Sequence, residues 1–268
     1  MNKEDLVSVI MPTYNAGKYL ADSINSILNQ SYKNLELLIT DDASTDPTTL
    51  QLLQEFASKD NRVDILYLKE NHGAGYARNK SIERAKGRYI AFCDSDDRWT
   101  TDKLEKQIAF MNKKKCALSC ASYIIFDGET QDEIGFCTAP KKITYGMMKR
   151  DNKVGCLTAI YDVQMLGRKF FMPTIRKRQD WALFLQIIRE CKVCYAYPDK
   201  PLAYYCMRRN SISSNKMSLM KYNIAVYKEI LGFHPIKAKL YFFTLFLPTY
   251  GAKILKRKFD SYTFTHKK

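Results

Sequence analysis

Short apolar runs alternate with helical patterns of hydrophobic residues through the first 115 residues of this chain. The apolar runs are Leu6–Met11, Leu35–Thr40, Val63–Leu68 and Arg88–Cys93. Between them, apolar side chains recur three and four residues apart, which is the spacing of one helix face. Strands that begin about 25–30 residues apart with a helix between them are typical of βαβ units. The pattern therefore predicts a mostly parallel, Rossmann-like α/β sheet flanked by helices.

Four helices are predicted in this first part of the chain. The apolar face of the first helix consists of Leu20, Ile24, Ile27 and Leu28. A second helix is predicted over Asp46–Ser58, because good N-cap residue types precede Pro47 there. The third should run from about Ala74 to Lys86, and the fourth should begin near Thr101.

Beyond residue 115 the pattern is less regular. The strand-like segments are Ala117–Phe126, Val154–Tyr161, Val193–Tyr197 and Leu202–Met207. A helix is predicted over Asp180–Glu190, whose apolar face begins at Trp181. We expect this half to continue the same domain and to shape a second substrate pocket.

Polar residues follow each of the four predicted parallel strands. They are Pro12-Thr13-Tyr14-Asn15, Asp41-Asp42, Asn71-His72-Gly73 and Asp94-Ser95-Asp96-Asp97. In such sheets, ligands bind beyond the carboxyl ends of the strands. Asp94 and Asp96 project to the same side of an extended chain, and their oxygens suit Mg²⁺ or Mn²⁺ beside a diphosphate. The alternative for the acidic cluster is a turn that caps the following helix.

The other polar segments permit a nucleotide site. A carboxylate of Asp41 or Asp42 can accept a hydrogen bond from a base N–H, such as the imide of uracil, or else stabilise a turn. Gly73 and Gly75 stand where a helix begins, so the backbone can approach an anion closely. Arg78, one turn further on, can contact the nucleotide or its phosphate.

The charge of the chain indicates an acidic partner. There are 43 Lys and Arg against 28 Asp and Glu, a formal net charge of +15. A nucleic acid, a phosphorylated substrate or an anionic membrane would fit this charge. The basic residues include Lys113–Lys115 and Arg176–Arg178, without a recognisable nucleic-acid module, so we expect no nucleic-acid partner.

The eight cysteines are scattered, several of them in apolar runs, which favours reduced thiols in the cytosol over a disulfide framework. Cys191 and Cys194 form a lone C-x-x-C, a weak signal for zinc or redox chemistry. The N-terminal sequence lacks a signal-peptide pattern, and no window reaches the ~20 apolar residues of a membrane span. We therefore expect a cytoplasmic protein.

The segment 234–268 differs from the rest of the chain. Leu240–Tyr250 is strongly apolar, and it is followed by Lys253, Lys256, Arg257 and Lys258. Aromatic apolar surface beside a basic cluster fits a helical tail at an anionic membrane surface. The alternative is a helix that packs on the core and continues as a solvated basic tail.

Taken together, these motifs resemble family 2 glycosyltransferases of the GT-A fold. The resemblance is carried by residues 7–15, 41–46, 71–79 and 94–97, and it continues in Arg178-Gln179-Asp180-Trp181, so that it covers about residues 6–215. Residues 172–183 are particularly similar to bacterial enzymes of teichuronic acid, capsule and O-antigen synthesis. The resemblance implies one GT-A domain over 1–233, with a nucleotide-binding half at 1–115 and an acceptor half at 116–233.

The resemblance also implies an activity and its residues. It implies an inverting, metal-dependent transferase that moves a sugar from a nucleotide-diphosphate donor, usually UDP-linked, to an acceptor hydroxyl. The implied nucleotide-binding residues are Pro12, Thr13, Tyr14, Asn15, Asp42, Asn71, Arg78, Asp94, Ser95 and Asp96. Asp94 and Asp96 would hold Mn²⁺ or Mg²⁺, with Asp96 as the direct ligand, and Asp180 would be the general base. With the tail, this leads us to expect a lipid-linked saccharide acceptor at the inner face of the cell membrane.

One position departs from the family pattern. Cys206 occupies the place where relatives often carry an arginine before a mobile loop. The candidate contacts to the diphosphate or the acceptor are therefore Arg178, Gln179, Trp181, Arg208, Arg209 and Ser211. For Trp181 we expect both stacking on a sugar and core packing.

A sugar-phosphate nucleotidyltransferase of the same fold is the alternative activity. That class carries a Gly- and Arg-rich loop with a lysine after the first strand, and residues 12–18 of this chain do not match it.

Overall fold

The computed structural model describes residues 5–208 and 216–266. The strands are Val7–Thr13 (β1), Leu35–Asp41 (β2), Val63–Tyr67 (β3), Tyr89–Phe92 (β4), Arg98–Trp99 (β5), Leu118–Ala121 (β6), Tyr123–Asp127 (β7), Glu133–Cys137 (β8), Lys142–Thr144 (β9), Ile160–Asp162 (β10), Val193–Tyr197 (β11) and Ala203–Met207 (β12). The α-helices are Tyr19–Leu28 (α1), Pro47–Lys59 (α2), Ala74–Arg84 (α3), Lys103–Lys114 (α4), Tyr145–Arg150 (α5), Val163–Leu166 (α6), Gln179–Cys191 (α7), Lys216–Ala225 (α8), Pro235–Tyr241 (α9) and Leu247–His266 (α10).

A large sheet forms the centre of the molecule, with the strand order β3-β2-β1-β4-β10-β6-β11-β9. Its first four strands are parallel, and Val9 of β1 is in register with Leu37 of β2 and Ala91 of β4. Strand β10 is inserted antiparallel between β4 and β6. The predicted α/β fold with a mostly parallel sheet is confirmed.

Helices cover both faces of this sheet. Successive side chains of a strand point to opposite faces, so each strand contributes to the core on both sides. Val9 of β1 lies in one core cluster with Leu20 of α1 and Leu104 of α4. Its neighbour Ile10 lies in the other cluster with residues of α3 and α7 such as Phe184. The near-continuous apolar strands of the sequence are therefore explained by burial on both faces.

A second sheet, with the order β5-β12-β7-β8, lies in the less regular half. The predicted strand Ala117–Phe126 is two strands, because the chain passes from the large sheet to this one at Ser122. The predicted strand Val154–Tyr161 is also wrong in part. Its centre, Cys156–Thr158, is a buried 3₁₀ turn, and only the end forms β10. Apolar composition alone does not distinguish a buried turn from a strand.

The C-terminal helices pack on the domain. Ala238, Phe242 and Phe246 are buried, and the ring of Phe246 lies 5.6 Å from that of Trp181. A π-helical turn at Phe242–Phe246 joins α9 to α10. Helix α10 then runs along β8, where the Ser261 hydroxyl accepts a hydrogen bond from the Phe136 amide at 3.0 Å. The predicted C-terminal helix is present, and one of its faces belongs to the core.

Within 5–208 and 216–266, none of the helices combines the length and the apolar character that crossing a bilayer requires.

Candidate active site

The strand order places a crevice between the ends of β1 and β4. Strand β1 pairs with β2 on one side and with β4 on the other, so the connections diverge at this point. In open α/β sheets, ligands bind in such a crevice, beyond the carboxyl ends of the strands. The loops after β1, β2 and β4 and the start of α3 all lie at this edge.

Asn15 joins the loops after β1 and β2. Its side-chain oxygen accepts hydrogen bonds from the amides of Thr45 (2.8 Å) and Asp46 (3.0 Å). The backbone N–H of Asn15 donates to the Ser44 hydroxyl, and that hydroxyl donates to the Asp41 carboxylate. Asn15 adopts a φ of 45°, which asparagine tolerates better than most residues. The side chain of Asn15 therefore shapes the loop, and a nucleotide contact of Asn15 stays a prediction.

Asp42 and Asn71 join the loop after β2 to the start of α3. The two carboxylate oxygens of Asp42 accept hydrogen bonds from the amides of His72 (2.8 Å) and Gly73 (2.7 Å). The side-chain amide of Asn71 donates to the Asp42 carbonyl at 3.1 Å. Because Asp42 is 2% exposed, its observed role is to position the segment 71–73.

Three aromatic rings at this edge are exposed, namely those of Tyr14, Tyr67 and Tyr76. Tyr14 follows β1, Tyr67 ends β3, and Tyr76 in α3 lies 4.4 Å from the ring of His72. Below them, Pro12 and Thr13 are buried. Exposed rings can stack on a nucleobase. Sequence reasoning had found only Tyr14 among the three, since Tyr67 reads as a strand residue and Tyr76 as a helix residue.

The acidic residues form a turn after β4, in which the Asp97 amide donates to the Asp94 carbonyl at 3.1 Å. The side chains of Asp94 and Asp96 are 34% and 18% exposed, and each pairs with an arginine. Asp94 is 2.5 Å from Arg78, and Asp96 is 2.5 Å from Arg208. Asp97 is buried and accepts a hydrogen bond from the Cys206 amide at 2.9 Å.

The carboxylates of this turn repel one another. Burial and the charge of Asp94 raise the pKa of Asp96, although Arg208 opposes the shift. Burial raises the pKa of Asp97 well above its usual value, with further contributions from Asp96 and Asp94. Burial alone would lower the pKa of Arg78, but the charge of Asp94 reverses this, and the guanidinium stays protonated. The raised pKa values of Asp96 and Asp97 thus reflect burial and like charges held close together.

The donor set fits a divalent ion that takes further ligands from its substrate. Among the residues that the structure describes, no cluster of three or more His, Cys, Asp or Glu is arranged to hold a metal, and this includes Cys191 and Cys194. Mg²⁺ and Mn²⁺ are commonly held by one or two carboxylates together with phosphate oxygens and water. Asp94 and Asp96, partly exposed and adjacent, match that chemistry.

Asp180 belongs to the other half of the molecule and lies in the first turn of α7. Its neighbour Gln179 lies against Gly75 of α3. One of the Asp180 oxygens accepts a hydrogen bond from the Asn152 side chain at 2.8 Å. Sequence reasoning missed Asn152, because it lies in an irregular loop outside every motif.

The side chain of Gln179 lies on the start of α3. A Cβ atom at Gly75 would overlap its amide group, so the glycine permits this close approach. The beginning of α7 thus lies against the beginning of α3.

Trp181 and Arg178, both expected to contact the diphosphate or the acceptor, make other contacts in the structure. Trp181 is 1% exposed, and its indole N–H donates to the Met148 carbonyl at 2.7 Å. The expected stacking of Trp181 on a sugar is therefore wrong, because the ring lies in the core. The Arg178 side chain donates to the Asn223 side chain at 2.8 Å and braces the loop before α7. Cys206 is buried, and Arg208 pairs with Asp96. Arg209 and Ser211 lie outside the described residues.

The fold and these side chains define a GT-A type glycosyltransferase. The model of the family "Glycosyl transferase family 2" matches residues 8–171. The chain belongs to glycosyltransferase family 2, which confirms the resemblance seen in its motifs.

Individual proteins agree with this assignment. TuaG of Bacillus subtilis, named as a teichuronic acid biosynthesis glycosyltransferase, is 44% identical over 239 residues, which cover 88% of this chain and 93% of TuaG. WfgD of Escherichia coli is named as a UDP-Glc:alpha-D-GlcNAc-diphosphoundecaprenol beta-1,3-glucosyltransferase. It is 38% identical, and the match covers 81% of this chain and 83% of WfgD. The likeness to teichuronic acid enzymes, first seen in residues 172–183, is thus confirmed.

A solved structure shares the fold. The mannosyltransferase PcManGT from Pyrobaculum calidifontis, in complex with GDP-Man and Mn²⁺, superposes with a TM-score of 0.66 and 17% identity. The match covers 95% of this chain and 75% of PcManGT.

Proposed function

We propose that this protein is an inverting glycosyltransferase of bacterial surface polysaccharide synthesis, which moves a sugar from a UDP-sugar to a hydroxyl of a lipid-linked saccharide. The observation that carries the proposal is the acidic turn after β4, where the partly exposed Asp94 and Asp96 pair with Arg78 and Arg208. The start of α7, which carries Asp180, lies against the start of α3, which carries Arg78. The names of WfgD and TuaG support the donor, the acceptor class and the polymer.

On the donor side, the diphosphate is the leaving group. Asp94 and Asp96 would hold Mn²⁺ or Mg²⁺, with Asp96 the direct ligand, and the bound ion would offset the charge that develops on the diphosphate. PcManGT contains Mn²⁺ in its complex, which supports this choice of metal. Arg208, the ion-pair partner of Asp96, can turn from the carboxylate to the diphosphate.

The nucleoside would lie over the loops after β1 and β2. Tyr14 is exposed there and can stack on the base, while the buried Pro12 and Thr13 and the loop residue Asn15 would position its backbone. Asp42 and Asn71 would contact the base or fix the backbone that does so. Ser95, between the two metal-binding carboxylates, would lie beside the ribose and the diphosphate.

On the acceptor side, Asp180 would act as the general base. The acceptor oxygen attacks the anomeric carbon, the bond from that carbon to the diphosphate oxygen breaks, and the hydroxyl proton passes to Asp180. One displacement of this kind inverts the anomeric configuration. Asp180 lies in the first turn of α7, and its carboxylate would take the proton as the hydroxyl oxygen attacks. Gln179 would contact the acceptor or the diphosphate beside it.

The lipid-linked acceptor requires the protein to reach a membrane. The outer face of the C-terminal helices carries Ile236, Leu240, Phe243 and Leu247, which are 72%, 62%, 54% and 39% exposed. Their spacing of four, three and four residues places them on one helix face. Exposed Lys256, Arg257 and Lys258 follow in α10. We call the exposed face formed by Ile236, Leu240, Phe243 and Leu247 the outer tail face. We infer that this face, together with the basic residues, binds an anionic membrane on the cytoplasmic side.

Calorimetric titration with UDP, GDP, CMP and dTDP, each with Mn²⁺ and with a chelator, tests the donor assignment. The proposal predicts binding of UDP alone, at least tenfold weaker without the metal. Asp96→Asn should abolish the metal effect. Asp64→Asn, at an exposed carboxylate of β3, should bind UDP and metal as the wild type does. Preference for another nucleotide would contradict the donor, and metal-independent binding would contradict the role of Asp96.

A further inference from the structure

We propose that Lys253 of helix α10 is a positioning residue for Asp180, and that it acts through Asn152. The inference rests on the proposed function, because it takes Asp180 as the general base. It assigns to the C-terminal segment a part in arranging the acceptor side of the site.

The first step is the contact between Asn152 and Asp180. The Asn152 side-chain N–H donates to Oδ2 of Asp180 at 2.8 Å. The side-chain oxygen of Asn152 accepts a hydrogen bond from the Val154 amide at 3.1 Å, and this fixes which end of the amide faces Asp180. This hydrogen bond restricts the orientation of the carboxylate, and Oδ1 would be the oxygen that takes the acceptor proton.

The second step is the contact between Lys253 and the loop that carries Asn152. The Lys253 ammonium donates to the Asn152 carbonyl at 2.5 Å and lies 3.1 Å from the Asp151 carboxylate. Asp151 is buried, and it also pairs with Lys153 at 3.1 Å. Charge-assisted hydrogen bonds of this kind are stronger than neutral ones. Lys253 therefore holds the backbone of Asn152, and Lys153 does not contact that carbonyl.

Three further contacts connect the start of α7 to the C-terminal helices. Arg178 donates to Asn223 of α8 at 2.8 Å. The ring of Trp181 lies 5.6 Å from both Tyr227 and Phe246. Residues on each side of Asp180 are thus held by the part of the chain from α8 to α10. A general base must stay within hydrogen-bond reach of the proton it takes, and a displacement of about 1 Å can cost 10²-fold in rate.

The two lysines of Asp151 offer a matched pair of variants. Lys253→Met removes the contact to the Asn152 carbonyl and leaves Asp151 paired with Lys153. Lys153→Met leaves the Lys253 contact in place and removes only the other ion pair of Asp151. Both variants keep one cation on the buried carboxylate, so both should fold.

The test is steady-state transfer in uncharged detergent micelles, which remove the electrostatic attraction of the basic tail to anionic lipid. We expect Lys253→Met to lower kcat about tenfold, with an unchanged KM for the donor and an unchanged UDP affinity. Lys253→Arg should restore most of the loss, and Lys153→Met should stay within about twofold of the wild type. In an Asn152→Ala background, Lys253→Met should have little further effect, because the two residues act in series.

Three results would overturn the inference: full activity of Lys253→Met, an equal loss in Lys153→Met, or multiplying losses in the double variant. Asp180→Asn separates this failure from that of the proposed function. If Asp180→Asn is inactive while Lys253→Met is fully active, the positioning role is wrong and the base assignment stands. If Asp180→Asn is active, the base assignment itself is wrong.

Discussion

Arg78 shows how single residues organise this site. It is almost fully buried, and its charge is retained because Asp94 lies 2.5 Å away and Asp180 contributes from the other half. A buried arginine is costly without such partners. The sequence allowed a prediction of a nucleotide or phosphate contact for Arg78. The structure adds that Arg78 is paired with Asp94 of the acidic turn.

Asp97 gives a prediction at the same scale. Because burial, Asp96 and Asp94 raise its pKa in the folded protein, the unfolded chain ionises first as the pH rises. The stability of the wild type therefore falls as the pH rises from 3.8, the ordinary value, to the higher pKa of the folded state. Asp97→Asn can still accept the Cys206 hydrogen bond. We expect it to have a higher Tm than the wild type at pH 7 and an equal Tm near pH 3.5.

Thermal unfolding monitored by circular dichroism across this pH range measures the difference. Asp64→Asn is the control, since Asp64 is mostly exposed, and its Tm should follow that of the wild type. A lower Tm of Asp97→Asn at pH 7 would show that the charge of Asp97 stabilises the fold.

Much of the candidate site could be predicted at the residue scale, because its residues lie in short motifs at strand ends. Asp94 and Asp96 are examples, since polar residues after all four parallel strands made a shared site more plausible than a helix-capping turn. Trp181 could not be assigned correctly, because an aromatic residue at a helix start fits a core and a sugar platform equally well. Asn152 carries no sequence signal at all, since its role depends on a tertiary contact with Asp180.

Between α3 and β4, the chain at Gly87 passes close to the backbone at the start of β1. A Cβ atom at Gly87 would lie 2.6 Å from the Ser8 amide and 2.7 Å from the Leu6 carbonyl. Backbone atoms of β1 cannot move aside as a side chain can.

Gly87→Ala should therefore lower the free energy of unfolding by about 2 kcal/mol. Gly251→Ala is the matched control, because no atom lies within 4 Å of the added Cβ in α10. It should raise that free energy by about 0.5–1 kcal/mol. Urea denaturation of both variants measures the effects, and equal stability of Gly87→Ala and the wild type would contradict the close approach.

The regular elements were predictable because their periodicity is strong. The first four strands and helices lie within a few residues of the expected positions. In the other half, the change of sheet at Ser122 and the turn at Cys156–Thr158 depend on tertiary packing, so periodicity could not reveal them.

For the whole molecule, the C-terminal segment has two faces. Phe242 and Phe246 complete the core beside Trp181, and the outer tail face is exposed. The sequence presented core packing and membrane binding as alternatives. In the structure, one face of the segment packs on the core. Membrane binding by the other, exposed face stays a prediction. Lys253, expected in the basic cluster, instead faces the domain.

The outer tail face predicts membrane binding. The double variant Leu240→Asp with Phe243→Asp should lose at least tenfold in affinity for vesicles with phosphatidylglycerol, and keep its folding, because both side chains are exposed. Salt should weaken the binding of the wild type. Vesicle flotation measures both effects.

Met165→Asp is the control, since Met165 is exposed on α6, away from the tail. Removal of residues 234–268 is a poorer test, because it also removes Phe242 and Phe246 from the core. Equal flotation of the double variant and the wild type would show that another surface binds, or that none does.

The central claim is the transfer itself, and the most direct measurement is a transfer reaction. Purified protein with Mn²⁺ is incubated with a panel of UDP-sugars and a lipid-diphosphate-linked sugar, and the product is analysed by mass spectrometry and NMR. The account predicts addition of one sugar with inverted anomeric configuration, and a loss of at least 10²-fold in Asp180→Asn. Retained configuration, an active Asp180→Asn, or pyrophosphate release from a nucleoside triphosphate without sugar transfer would contradict it.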